Sequence, residues 1–361
     1  GKTNLPEFAG DWQASNDVAG TSNNPWDITR TTGGSTGGGA GALAAGLGFL
    51  ELGGDLAGSI RIPSHCCGVY GHRPTTDVVP LRGHIPPPPG VPPSPAELPA
   101  AGPLARSARD LQLALEVLGG PDAPEQTAYR WKMPAPRRKT LREYRIGYVV
   151  DDPFCPVDAP VRDVLQNAID ALRRAGARLA EGWPDGVDPS AQHANYGWLL
   201  GAFFSQTIED GDFESMRETA RRTKNPWLEA QTASHRDWLR RSSLRLQERA
   251  IWQDWFRDHD AFLMPVTIVA AFPHDHRAMS ARTLATAAGP RAYTDLATWT
   301  AFATLIGCPA TVAPVGRTKE GLPVGIQILG PYLEDATPID VARKMADVTG
   351  GFVPPPIFVS R

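Results

Sequence analysis

The sequence has few cysteines, almost no net charge and no long apolar run. Its four cysteines, at positions 66, 67, 155 and 308, include an adjacent pair but no Cys-x-x-Cys motif. This pattern excludes a disulfide framework and predicts a reduced, cytoplasmic protein. The 36 basic and 39 acidic residues leave a net charge of -3, so the overall charge favours neither nucleic acid nor an anionic membrane as a partner. No apolar run reaches the ~18 residues of a membrane helix.

What the chain does have is apolar sequence in patterns typical of a mixed α/β fold. With 361 residues and 42% apolar content it can bury a large core, in one domain or in two. Continuous apolar runs at 261–271, 308–316 and 322–330 predict strands buried on both faces, and FLEL at 49–52 predicts another buried strand. Helical periodicity marks 105–120, 160–176, 226–256 and 338–348. We predict an α/β fold with a large mixed, mostly buried β-sheet flanked by helices.

Two segments are predicted to lie on the surface. Residues 85–103 are rich in proline, which lacks the amide proton and fixes φ, so they form an extended or turning surface loop. The basic run 129–145 contains prolines at 134 and 136 and is interpreted as a solvated loop leading into a strand rather than as a binding patch.

Several isolated motifs suggest chemistry without specifying it. Residues 39–44 fit the dinucleotide fingerprint GxGxxG/A, but the polar stretch WDITRTTGG before them replaces the required apolar strand. The HDH stretch at 274–276 has no further ligands at metal-like spacing and is interpreted as a loop. Ser59 in GDLAGSIRIP, with His65 and His72 nearby, leaves open a Ser-His triad, although spacing alone favours a turn serine. No metal or cofactor is predicted.

Two longer motifs change the interpretation of Ser59. GGSTGGGAGALAAG at 33–46, followed by GGDLAGSIRIPSHCCGVYGHRPT at 53–75, resembles the signature region of the amidase signature family. We call residues 33–75 the signature loops. The resemblance continues through other segments, namely 1–9, 23–30, 101–111, 263–267, 307–316 and 321–330. It implies a single amidase-signature domain over 1–361, in which 176–258 is a variable helical region that shapes the substrate pocket.

The resemblance also implies roles for individual residues. Ser59 matches the nucleophile of the family, and Ser35 matches a second serine, held through a cis peptide, that relays the proton to a neutral lysine. The backbone N–H groups of Leu56, Ala57, Gly58 and Ser59 match the oxyanion hole, which stabilises the tetrahedral intermediate. Ala57 stands where the family usually has glycine. Asp55 and Arg61 are expected to form a charge pair that braces the loop.

The lysine base has no match in this sequence. In the family it lies on a segment upstream of the one that GKTN at 1–4 resembles, and the chain starts with Gly1 rather than Met. We therefore expect the catalytic lysine to lie outside this chain, on an N-terminal segment that was cleaved or is not included. We also expect residues 1–4 to lie near the sheet and close to Ser35, with no lysine of residues 1–361 in hydrogen-bond reach of Ser35.

Three functions remain open from the sequence. The first is an amidase that hydrolyses small carboxylic amides, and also esters, without a nucleic-acid or membrane partner, as a monomer or a homodimer. The second is the amidase subunit of a glutamyl-tRNA amidotransferase, although residues 72–90 lack the YGRVSRYG-like run associated with that subunit. The third is a non-catalytic binding protein that has retained the fold.

Overall fold

The secondary structure follows the predicted alternation of apolar runs and helical periods. The computed structural model describes residues 1–84 and 97–356. Its strands are β1 (Ser15–Asn16), β2 (Gly20–Thr21), β3 (Asn23–Asn24), β4 (Asp27–Thr31), β5 (Leu50–Asp55), β6 (Tyr70–Arg73), β7 (Ala100–Ala105), β8 (Arg145–Tyr148), β9 (Arg178–Glu181), β10 (Ala261–Pro265), β11 (Thr283–Thr286), β12 (Gly289–Ala292), β13 (Ala310–Arg317) and β14 (Pro323–Leu329). Its α-helices are α1 (Gly37–Ala44), α2 (Arg61–Cys67), α3 (Ala108–Leu118), α4 (Ala159–Arg174), α5 (Pro189–Phe204), α6 (Asp210–Thr223), α7 (Pro226–Gln231), α8 (His235–Trp255), α9 (Ala301–Ile306) and α10 (Ala336–Thr349).

One large sheet organises the described residues. Its eight strands lie in the order β5-β7-β6-β13-β14-β10-β8-β9. The strands β10, β8 and β9 are parallel to one another, whereas every other neighbouring pair is antiparallel. The predicted mixed sheet is therefore confirmed, and so is the burial of its middle, because every residue of β10 and β14 is buried.

The helices pack on this sheet through the faces that periodicity predicts. In α3 the residues Leu111, Ala114 and Leu115 are buried, and the Ser107 hydroxyl caps the helix by accepting the Asp110 N–H at 3.1 Å. An N-cap of this kind satisfies an amide that would otherwise lack a partner. In α4, Pro160 lies in the first turn and the apolar face is buried. The region 176–258 contains the strand β9 at its start, followed by the helices α5 to α8.

Two predictions about the surface need correction. FLEL does form part of a strand, but Leu50 and Leu52, which lie on one face of the end strand β5, are 47% and 51% exposed. The proline-rich loop is shorter than predicted, since residues 100–103 belong to β7, which is buried between β5 and β6. Residues 85–96 of that loop lie outside the described residues. The basic run precedes β8 and is largely exposed, as predicted.

None of the helices within 1–84 and 97–356 combines the length and the apolar character that crossing a bilayer requires.

Candidate active site

The fold brings the Ser35 loop and the Ser59 loop into direct contact. Ser35 lies just before α1, and Ser59 lies between β5 and α2. The Thr36 N–H donates a hydrogen bond to the Ser59 carbonyl oxygen at 3.1 Å, which joins the two loops. Ser35 and Ser59 are 5% and 8% exposed. The peptide bond between Gly34 and Ser35 is cis, the conformation that the family resemblance implies for the second serine.

Glycine is required where these loops approach other backbone. A Cβ atom on Gly34 would lie 2.6 Å from the Asp11 carbonyl oxygen. Gly58, immediately before Ser59, has φ +89, and a Cβ atom there would lie 2.8 Å from both Ile62 Cδ1 and Thr300 Oγ1. No larger residue fits either position without displacing its neighbours, so the glycines set the path of the chain around both serines.

A buried ion pair holds the Ser59 loop, as the sequence predicts. Arg61 donates to Asp55 twice, from Nη2 at 2.7 Å and from Nε at 2.9 Å, and neither side chain is exposed. Arg61 also reaches the Thr300 carbonyl oxygen at 2.7 Å and Gln327 Oε1 at 2.6 Å. Burial alone would raise the pKa of Asp55, but the Arg61 guanidinium outweighs it and lowers that pKa. Asp55 therefore stays ionised and tied to α9 and β14 through Arg61.

Asp55 also takes up one of the predicted oxyanion donors. Its carboxylate accepts the backbone N–H of Gly58 at 3.0 Å and that of Ile60 at 3.2 Å. The Gly58 N–H therefore points at Asp55 rather than at a substrate. Within the described ranges no acceptor pairs with the N–H groups of Leu56, Ala57 and Ser59.

Two aromatic residues that sequence reasoning missed hold the carbonyl groups of the same loop. The Tyr196 hydroxyl of α5 donates to the Leu56 carbonyl oxygen at 3.1 Å. Trp12 Nε1 donates to the Ala57 carbonyl oxygen at 2.9 Å. Nothing in the spacing of either residue relative to Ser59 could have revealed these contacts, because they bridge 140 and 45 positions.

The two histidines near Ser59, His65 and His72, form hydrogen bonds with other residues. The hypothesis of a Ser-His triad is therefore wrong. His65 Nδ1 accepts the Gly325 N–H at 3.1 Å, and its Nε2 lies 3.2 Å from the Val269 carbonyl oxygen. Burial lowers the pKa of His65 to about 4, so its ring is neutral. His72 is also fully buried and contacts Thr311 Oγ1 at 2.9 Å and Asp335 Oδ1 at 3.2 Å.

Neither the glycine fingerprint nor the HDH stretch forms a binding site. The fingerprint lies inside α1, where the Gly38 N–H donates to the Asn4 carbonyl oxygen at 3.0 Å. The HDH stretch is irregular, with the rings of His274 and His276 stacked at 5.9 Å. The described part of the chain, 1–84 and 97–356, holds no group of three or more His, Cys, Asp and Glu side chains placed to bind a metal ion.

Residues 3 and 4 lie beside the sheet and the loop of Ser35, as predicted. Thr3 Oγ1 donates to Glu51 Oε1 on the end strand β5 at 3.0 Å, and Asn4 contacts the first turn of α1, just after Ser35. Within the described residues no hydrogen bond joins the Ser35 hydroxyl to a lysine, and the Lys344 ammonium donates to Asp340. The lysines of this chain are Lys2, Lys132, Lys139, Lys224, Lys319 and Lys344.

Two surface cavities lie away from the serines. One, of about 580 Å³, is lined by Arg137, Arg138, Lys139, Glu143, Arg145 and Arg178. The other, of about 410 Å³, lies around Asp151, Asp152 and Trp183. Neither is lined by Ser35 or Ser59, so the candidate site is identified by its chemical groups and not by cavity size.

Comparison with known proteins identifies the family of this chain. A sequence model described as Amidase matches residues 1–338. Indoleacetamide hydrolase from Bradyrhizobium diazoefficiens is 30% identical over 97% of this chain and 65% of that protein. A glutamyl-tRNA(Gln) amidotransferase subunit from Thermus thermophilus is 31% identical over 97% of this chain and 75% of that protein. The chain thus spans about two thirds to three quarters of the length of these relatives.

The fold has a close counterpart among solved structures. The crystal structure of a glutamyl-tRNA(Gln) amidotransferase subunit from Thermotoga maritima superposes with a TM-score of 0.78 and covers 98% of this chain and 75% of that chain. The two sequences are 24% identical, so this likeness concerns the fold alone.

Proposed function

The chain belongs to the amidase family, and from that premise we propose that it hydrolyses carboxylic amides, and also esters, through an acyl-enzyme on Ser59. The observation that supports this most is the hydrogen bond between the Thr36 N–H and the Ser59 carbonyl oxygen, because it holds the two candidate serines on adjoining loops. A nucleophile and its proton relay have to be neighbours of this kind.

The proposed reaction has two steps. The Ser59 oxygen attacks the amide carbonyl carbon while its proton passes through the Ser35 hydroxyl to a base. The carbon–nitrogen bond then breaks, the amine leaves with that proton, and the acyl group remains on Ser59 as an ester. Water hydrolyses the ester, which releases the acid and regenerates the Ser59 hydroxyl. The N–H groups of Leu56, Ala57 and Ser59 stabilise the negative oxygen of each tetrahedral intermediate.

The base in this proposal is a lysine outside residues 1–361. It has to be neutral to accept a proton, and a lysine reaches that state near pH 7 only when burial or neighbouring charge lowers its pKa from ~10.4. Lys2 is exposed, and Lys344 is bound to Asp340 and packs over the Tyr144 ring, so neither fits the role.

The proposed substrate is a small amide with an aromatic or other apolar acyl group. Aromatic rings beside the Ser59 loop support this. Tyr196 of α5 contacts the Leu56 carbonyl oxygen, and the His193 ring, on the same helix, lies next to the Tyr196 ring. The His193 ring lies 5.8 Å from that of Phe154 and 6.4 Å from that of Tyr196. Several tryptophans of the region instead pack in the core, such as Trp252, which is fully buried.

A fluorophosphonate probe tests the proposal directly, since only an activated serine is labelled. The full-length gene product should be labelled at Ser59 and should release amine from a panel of aryl, alkyl and amino-acid amides. Ser64 is a matched control, because it lies in the same motif but its hydroxyl donates to the Ile60 carbonyl oxygen at 2.8 Å. Ser64→Ala should still be labelled. An unlabelled full-length protein would favour the non-catalytic binding protein.

The second candidate is the amidase subunit of a glutamyl-tRNA amidotransferase. The 31% identity to the subunit from Thermus thermophilus favours it. In that case the protein should hydrolyse glutamine only in the presence of a partner subunit. Turnover of simple amides by the protein alone would decide for the first candidate.

We also propose a cytoplasmic location. The free, buried thiols of Cys66, Cys67, Cys155 and Cys308 support it, because disulfides are rare in that compartment.

A further inference from the structure

Helix α5 makes a hydrogen bond to the loop that precedes Ser59. Tyr196 is buried, and its hydroxyl donates to the Leu56 carbonyl oxygen at 3.1 Å. Burial raises the pKa of Tyr196, and the nearby Arg61 only partly opposes this. The hydroxyl therefore keeps its proton at neutral pH and remains a donor.

The direction of that carbonyl decides where the next N–H points. In a trans peptide the carbonyl and the N–H of the same unit point in opposite directions. Because the Leu56 carbonyl faces Tyr196, the Ala57 N–H faces away from Tyr196, and it has no acceptor among the described residues.

The next peptide unit provides an internal check of this geometry. Trp12 Nε1 holds the Ala57 carbonyl at 2.9 Å. The Gly58 N–H of the same unit should then point the opposite way, and it does, toward Asp55 Oδ1 at 3.0 Å. Trp12 and Tyr196 thus orient successive peptide units, but only the unit that Tyr196 orients leaves its N–H free.

We propose that Tyr196 is a positioning residue that orients the Ala57 N–H as an oxyanion donor of the Ser59 site. The inference rests on the proposed amide hydrolysis. It links the region 176–258 to the rate of the reaction as well as to the choice of substrate, because a residue of α5 fixes a group of the signature loops. It also gives Ala57 a role in which only its backbone is used, which tolerates a methyl group.

The test compares Tyr196→Phe with Tyr148→Phe in the full-length protein. Both substitutions remove one hydroxyl from a buried ring, but the Tyr148 hydroxyl donates to Glu181 at 2.9 Å, outside the Ser59 loop. Outright loss of an oxyanion donor lowers kcat by ~100-fold or more. We expect kcat to fall by about tenfold in Tyr196→Phe, where the donor is misdirected rather than removed, with KM within about twofold.

A trifluoromethyl ketone forms a tetrahedral adduct with an active serine. Its inhibition constant would not change if Tyr196 had only a structural role. Its inhibition constant should rise by the same factor by which kcat/KM falls in Tyr196→Phe, and should not change in Tyr148→Phe. A lower melting temperature with unchanged kcat in Tyr196→Phe would overturn the inference while leaving the proposed function in place. If wild-type Ser59 is not labelled by the fluorophosphonate probe, the proposed function fails and the inference with it.

Discussion

The signature loops and the helical region 176–258 are stabilised in different ways. In the loops, Arg61, His65, His72 and Arg73 are fully buried, and each has at least one hydrogen-bond partner more than 200 positions away, such as Gln327 for Arg61. The helical region combines longer-range contacts, such as that between Asn195 and Glu248, with many local ones. Ser234 and Asn225 cap α8 and α7, and ion pairs three residues apart lie along the exposed faces, as between Arg217 and Glu214.

This difference means that the signature loops have a fixed geometry, whereas the helical region 176–258 can vary in sequence. A loop fixed by buried, non-local hydrogen bonds holds its backbone groups in one geometry, as a catalytic loop requires. Helices with side-chain caps of their own, such as α7 and α8, can change on one exposed face without disturbing the loop. The exception is α5, whose Tyr196 contacts the Leu56 carbonyl and so joins the two parts.

The largest effect on activity is expected from a substitution in the signature loops. Ser59→Ala should abolish amide turnover and fluorophosphonate labelling, because it removes the nucleophile and no packing. Far-UV circular dichroism and melting temperature should not change. Labelling that persists on another residue of the variant would contradict the assignment of Ser59.

Ser35→Ala should have the next largest effect. Turnover should fall by orders of magnitude, without an equal loss of substrate binding, because Ser35 relays a proton and does not hold the substrate. Steady-state kinetics on an amide substrate measure this as a fall in kcat at a similar KM. A kcat equal to that of the wild type would rule out the bridging role.

A pair of arginine substitutions tests the contrast in stability. Arg61→Met leaves Asp55 buried without its main partner and should lower the free energy of unfolding by ~3–5 kcal/mol. Arg217→Met on α6 is the matched substitution, because the side chains of the Arg217–Glu214 pair are 41% and 73% exposed. It should change the free energy of unfolding by less than ~1 kcal/mol. Denaturant unfolding measures both. Equal changes would mean that the two regions do not differ as described.

The smallest expected effects are opposite responses to pH. Burial lowers the pKa of His65 from 6.5 to about 4, so the neutral ring stabilises the fold above pH 6.5 and this contribution is lost as the pH falls toward 4. Burial raises the pKa of Glu248 on α8 from 4.5 to about 7, so its contribution is present below pH 4.5 and is lost as the pH rises toward 7.

Glu248→Gln isolates the response of the helical region. Glutamine keeps an acceptor for Asn195 Nδ2, which donates to Glu248 at 2.7 Å, and carries no charge. The free energy of unfolding of Glu248→Gln relative to the wild type should therefore rise as the pH increases from ~5 to ~8. Exposed Glu218 on α6 provides the control, and Glu218→Gln should show no such trend. A flat difference for Glu248→Gln would contradict the assignment of its raised pKa.

Much of the fold was predictable because its determinants are local. The helical periods of α3 and α4 and the apolar runs of β10 and β14 mark elements that the structure contains. The exposed side of β5 was not predictable, because FLEL alone does not indicate whether other elements pack on each face of its strand. That is decided only when the tertiary structure forms.

The site divides in the same way. The sequence by itself contains the candidate serines Ser35 and Ser59, the glycines around them and the Asp55–Arg61 pair within short motifs, and the resemblance of those motifs to the amidase signature family implied their roles. Only the tertiary structure decided that the Gly58 N–H is bound to Asp55, that His65 is bound by the backbone of Gly325, and that Tyr196 holds the Leu56 carbonyl. The physical reason is that a hydrogen bond is a matter of distance and direction at about 3 Å, and residues far apart in sequence acquire those only when the sheet and helices have packed.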